Sequence, residues 1–191
     1  MKLSAILFAF GLSVAAIVLK LLNLQLPENF GIFYALALFC GCFLRGALGW
    51  ALPVAALLFS DIAGQLIDDS MLGVYSVNAM LLNYAGLAAM TGFGTALRKN
   101  QNLFLVAGCS LAGASVFFVL SNFGAFLDPL MGYDRSLAGL MDCFAKGLPF
   151  ARGTFSSSLI FSLASFATYN WWMASVVQPS HATVTERNIA N

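Results

Sequence analysis

Sixty per cent of the 191 residues are apolar and 9% are charged, and the mean hydropathy is +0.86. A soluble domain of this length cannot hide so much apolar surface, which leaves a membrane protein. Nine basic against eight acidic residues give a net charge of +1, too even a balance for a nucleic-acid-binding face or an acidic tail.

Met1 and Lys2 open an apolar run that resembles a secretory signal, with Ser13-Val14-Ala15 as a small-residue cleavage site. The run continues through Lys20 to Leu22 and is long enough to span a bilayer, so a retained helix is expected. Apolar segments then fall at 32–44, 47–60, 72–97, 103–121 and 150–177, separated by charged or Pro/Gly-bearing stretches that end helices. Six spans is the simplest count. The second and third segments are short for a hydrocarbon core of roughly 30 Å, and a half-helix pair broken at Arg45-Gly46 with five full spans is the alternative.

In the connection from Ser121 to Pro149, Leu137, Leu140, Met141 and Phe144 recur at helical spacing, and Asp142 can pair with Lys146. Gly147 and Pro149 then supply a stop. A short interfacial amphipathic helix is therefore expected, preceded by a turn at Gly132-Tyr133-Asp134, with residues 128–148 able to act as a lid. The fold class is an all-α, polytopic membrane helix bundle over 1–177, followed by a short polar tail at 178–191.

With a cytoplasmic N-terminus, Lys2, Arg45, Arg98, Lys99 and Arg187 fall inside, and Lys20, Arg135, Lys146 and Arg152 outside. This modest asymmetry, anchored by Arg98-Lys99 at a tight turn, predicts both termini cytoplasmic and Trp171-Trp172 near the inner interface of a bacterial inner membrane.

No residue pattern points to an enzyme. The only histidine, His181, lies in the tail, which excludes an intramembrane haem ligand. Cys40, Cys42, Cys109 and Cys143 lack zinc spacing and read as small buried side chains. Nucleophile–base pairs, a His-Glu-x-x-His motif and nucleotide glycine fingerprints are all missing from the sequence, so no cofactor and no metal is expected, and any active uptake needs an external motor or a gradient.

Asp61 stands out because a carboxylate near a span costs roughly 2.5–3.5 kcal/mol at the helix centre. It reads either as a solvated or helix-capping interfacial carboxylate or as a ligand-facing group or cation site. On the topology above Asn78, Asn122, Tyr133, Ser156 and Ser157 share its outer half, with Asn83 a further polar group on the fourth segment. Phe30, Phe33, Tyr34 and Phe123 could wall a pocket for a small, neutral or weakly charged molecule there. Asn and Ser also bond each other across helices without a ligand. Small residues at four-residue spacing, Ala5, Ala9 and Ser13 on the first helix and Ala88, Gly92 and Ala96 on the fourth, allow close helix approach or docking of a partner protein.

The run Leu26-Pro27-Glu28-Asn29-Phe30, then Ala35-Leu36-Ala37-Leu38-Phe39-Cys40-Gly41, Ser60-Asp61, Ser121-Asn122-Phe123-Gly124 and Gly147-Leu148-Pro149-Phe150 resembles an uncharacterised bacterial family of small six-helix membrane proteins. That family is similar to the substrate-binding S components of energy-coupling-factor (ECF) vitamin transporters. The resemblance covers most of residues 3–175 and implies six helices, an outward-open site for a small vitamin-like molecule, and loops that occlude it. It further implies a first helix that docks through small residues on a transmembrane coupling subunit driven by two ATPases. Ala5, Ala9 and Ser13 resemble that pattern, with Ser13 in place of a third Ala. Asn29, Asp61 and Asn122 would then be ligand contacts or fold markers. The rival partners are lipid, pigments and the other subunits of a larger respiratory or photosynthetic membrane complex, in which this chain would be structural.

Overall fold

The computed structural model describes residues 3–22, 29–67 and 76–177. Six helices run through them: α1 (Leu3–Leu21), α2 (Phe33–Phe43), α3 (Ala47–Ile67), α4 (Val77–Ala96), α5 (Leu103–Leu127) and α6 (Leu137–Val177), with a 3-10 turn at Pro129–Met131. Among the described residues there is no strand. The tail from 178 and the Leu26-Pro27-Glu28 part of the resemblance lie outside the described residues. Helices α1, α3 and α5 are each long and apolar enough to cross a membrane, and the chain is a membrane protein.

Packing, rather than polarity, decides which face of a helix turns inward. One face of α1 buries Ala5, Ala9, Ser13 and Ala16, while the other exposes Leu3, Leu7, Phe10, Val14 and Val18. In lipid the large side chains lose nothing by facing acyl chains, and small ones let backbones approach. The first-helix stripe is therefore occupied by the chain's own helices, and the expectation that Ala5, Ala9 and Ser13 form a free docking face gives way to packing within the bundle.

The second apolar segment is a core helix instead of a span. Every residue from Phe33 to Cys42 is buried, as befits a helix that is apolar all round, and α2 touches each of the other five. Its 11 residues reach about 16 Å, half of a core of roughly 30 Å. Tyr34 meets Phe117 at 4.9 Å between ring centroids, and Phe117 abuts Gly86. From that level α4 and α5 continue towards Val77 and Leu127 for another 14 Å or so, so α2 starts well inside the bundle. The opposite end of α2 is closed by Arg98, whose guanidinium donates to the carbonyls of Gly41 (2.9 Å) and Leu44 (3.2 Å).

Helices α2 and α4 run parallel and cross at Gly41 and Gly94. A Cβ on Gly41 would lie 2.0 Å from the Thr91 carbonyl oxygen, and one on Gly94 would lie 2.1 Å from that of Leu38. Each glycine thus faces the residue three positions before the other. The expected stripe Ala88, Gly92 and Ala96 does not make this contact; the first two are half-buried and Ala96 is exposed. The stripe misleads because the true close approaches, Gly86 to Phe117 and Gly94 to Gly41, lie on another face of the same helix.

Three boundaries differ from the sequence expectation. Helix α3 runs past residue 60 to Ile67 and α5 past residue 121 to Leu127, carrying Asp61 and Asn122 inside helices. The expected amphipathic helix is not separate, since Leu137–Val177 is a single helix of 41 residues with Pro149 inside it. Pro149 removes only the bond to the Ala145 carbonyl, and contacts with α5 hold both sides of the break. Phe144 meets Phe118 edge-on at 5.9 Å, the Cys143 thiol donates to the Asn122 carbonyl at 3.3 Å, and Gly147 abuts the Asn122 side chain. The Asp142–Lys146 pair forms as its spacing predicts, at 2.8 Å and exposed.

Candidate functional site

Two opposite charges meet inside the bundle on helices whose sequences are otherwise apolar. Lys20 occupies the last turn of α1, and its Nζ donates to Asp61 Oδ1 on α3. Tyr84 of α4 donates its hydroxyl to Asp61 Oδ2 at 2.8 Å, so both carboxylate oxygens are engaged. Each charge alone would be costly at this depth, and pairing them across helices is the way an apolar bundle tolerates both. The Asp61 side chain is 15% exposed and that of Lys20 35%. Lys20 Nζ also lies 6.0 Å from the ring centroid of Phe33, the first residue of α2.

The start of α2 adds a second electrostatic feature. Ile32 stands at its N-cap and provides no side-chain hydrogen bond, so the positive end of the helix dipole lies in the interior beside Phe33 and the ion pair. Phe30 closes edge-on against Phe161 of α6 at 5.4 Å. The ion pair, Tyr84, Phe33 and the start of α2 form the candidate site.

The other residues singled out from sequence are spread over several helix contacts. Asn29 is exposed, with a left-handed φ of 60° that Asn tolerates well. Asn78 is exposed in the first turn of α4, and Phe123 is also exposed. Asn122 is half-buried between α5 and α6, where its Nδ2 donates to the Phe118 carbonyl at 2.8 Å. Tyr133 lies in the connection before α6, with Lys146 Nζ 5.3 Å from its ring centroid. Ser157 is fully buried, its hydroxyl turned to the Thr154 carbonyl. Its neighbour Ser158 bonds Ser110 at 2.8 Å, whereas Asn122 meets Gly147. Ser157 therefore sits about 15 Å along α6 from the Asn122 level, which corrects the expectation that the two share one outer pocket.

A separate clasp ties the 3-10 turn to α4. Fully buried Asp128 accepts from the backbone N–H of Ser76 at 2.6 Å and of Leu130 at 2.9 Å. Burial works to raise the Asp128 pKa, but these hydrogen bonds and the charge of Arg135 outweigh it and hold the carboxyl below its usual value. Arg135 itself donates to the carbonyls of Phe126 and Leu127 at the end of α5. These contacts fix the connection between α5 and α6 against the start of α4.

Sequence reasoning identified Asp61 but missed Lys20 and Tyr84 as its partners. A usable signal existed: Lys20 and Asp61 are isolated, opposite charges near the C-terminal ends of two long apolar segments. All four cysteines are free, with Cys40, Cys42 and Cys143 buried and Cys109 half-buried, in keeping with the packing role read from their surroundings. Among the described residues no cluster of three metal-ligating side chains forms.

A family model described as "Family of unknown function (DUF6580)" matches residues 2–181. The chain belongs to that family. No curated protein and no solved structure matches it.

Proposed function

We propose that this DUF6580 member is a membrane-embedded substrate-capture subunit, comparable to the S components of ECF transporters, which holds a small vitamin-like molecule and performs no catalysis. The Lys20–Asp61 pair with Tyr84, set beside the inward start of a half-length helix, carries the reading. Ionisable groups inside a membrane bundle point by default to function, substrate pathways among them, and a buried ion pair is weak evidence for fold stabilisation. Helices that begin part-way through the membrane are a recurrent way to present backbone N–H groups to a ligand. Under this reading the site opens towards the Asp128 end, on the external face of a bacterial inner membrane. The Arg98 end and both termini are cytoplasmic, and a coupling subunit with ATPases supplies the energy.

The decisive measurement is thermal stabilisation of the purified chain by a panel of water-soluble vitamins and their precursors. A binder raises the unfolding midpoint by mass action, and Asp61→Ala removes the shift. No stabilisation by any member rejects the capture role. Thiol labelling of Lys99→Cys and Asp134→Cys from each side of the membrane tests the orientation, and labelling of both from one side contradicts it.

A structural subunit of a larger complex is the second reading, in which exposed apolar side chains such as Phe104 and Leu66, 88% and 83% exposed, meet neighbouring subunits rather than lipid. Gentle solubilisation separates the two readings: recovery with respiratory or photosynthetic subunits supports the structural role, and recovery with ATPase partners supports capture.

A further inference from the structure

From the charge balance of the Lys20–Asp61–Tyr84 cluster we infer that the captured molecule is a zwitterion, carrying both a carboxylate and an ammonium group on an apolar or aromatic body. The inference rests on the capture reading and names its ligand class. Among the described residues the site holds one positive and one negative group, which balance each other. A ligand with a single net charge would leave that charge uncompensated in a low-dielectric interior, which is strongly unfavourable. A wholly apolar ligand would gain nothing from an ion pair.

A zwitterion can exchange partners while the site stays neutral. Its carboxylate accepts from the Lys20 ammonium, and its own ammonium donates to Asp61. The Tyr84 hydroxyl, now on Asp61 Oδ2, can keep that bond or turn to the incoming carboxylate. Lys20 is suited to release because its ammonium sits on a flexible four-carbon stem and its side chain is one-third exposed. Phe33 is buried with Lys20 over its ring, so a ligand body that displaces the ammonium would meet an aromatic face, and the positive end of α2 favours the carboxylate on that side.

The test uses the full chain in detergent or nanodiscs, with a thermal-shift panel of the common amino acids, ω-amino acids and amino-group-bearing vitamin precursors. Each is compared with its methyl ester and its N-acetyl derivative. The expected result is stabilisation by dipolar members, weakened by about 10- to 100-fold in affinity when either ligand charge is masked. The double variant Lys20→Met/Asp61→Asn, which leaves no unpaired charge, should unfold near the wild-type temperature and lose binding. A best ligand of one charge sign, or indifference to esterification and acetylation, overturns the zwitterion assignment while capture stands. Binding that survives in the folded double variant also overturns it. No stabilisation by these compounds or by the vitamin panel removes both readings together.

Discussion

Two cations are used differently at the two ends of α2. Arg98 at one end donates to the carbonyls of Gly41 and Leu44 and completes the helix. Lys20 at the other end passes over Phe33 to Asp61, and Ile32 at the N-cap of α2 supplies no side-chain hydrogen bond. A guanidinium with a rigid fork of donors suits a fixed cap, and a flexible ammonium suits an exchangeable partner. One end of the buried helix is thus capped by a cation, and under the capture reading the other faces the ligand.

The largest effect should come from breaking the closed end at its tightest point. Gly41→Val forces a side chain into the Thr91 carbonyl and should cost about 3 kcal/mol or more, read as a collapse of the unfolding midpoint or failure to accumulate in the membrane. Arg98→Ala leaves two carbonyls of a buried helix without their donor and should cost about 2 kcal/mol. Arg98→Lys, which cannot reproduce the fork, should recover only part of it. Asp61→Asn leaves Lys20 without a counter-charge and should cost about 1.5 kcal/mol, less than for a fully buried pair because Lys20 is partly exposed. A double-mutant cycle with Lys20→Met should recover most of that loss. If Arg98→Ala proves milder than Asp61→Asn, the contrast between a structural and an exchangeable cation fails.

The smallest effect belongs to Asp128, where Asp128→Asn should cost about 1 kcal/mol, seen as faster amide exchange at Ser76 and Leu130. Since the folded carboxyl is held below its usual pKa, its contribution is complete above the ordinary carboxylate range. It is lost as pH falls through the depressed folded value. Acid should therefore loosen this clasp in the wild type while leaving the variant unchanged.

Much of the architecture was legible in the residues. The starts of α1, α3 and α5, the turn at Gly132, the Asp142–Lys146 pair and the unusual position of Asp61 all follow from hydropathy, spacing and turn chemistry. The continuity of α6 was not, because Pro149 signals a stop locally and only contacts of Cys143, Phe144 and Gly147 with α5 override it. Nor was the gathering of polar residues, since sidedness along a chain says nothing about which helix neighbours which. Asn122 and Asp61 share an end of the bundle but belong to different helix contacts.

Apolar composition by itself determined that these segments become helices in lipid, because only hydrogen-bonded helices or closed barrels satisfy the backbone there. Which helix is central, which glycines touch and which lysine finds Asp61 were decided only in the tertiary structure. In a soluble helix one polar face announces the side turned to water; here both the lipid-facing and the buried faces are apolar, so periodicity carries no direction and shape complementarity makes the choice.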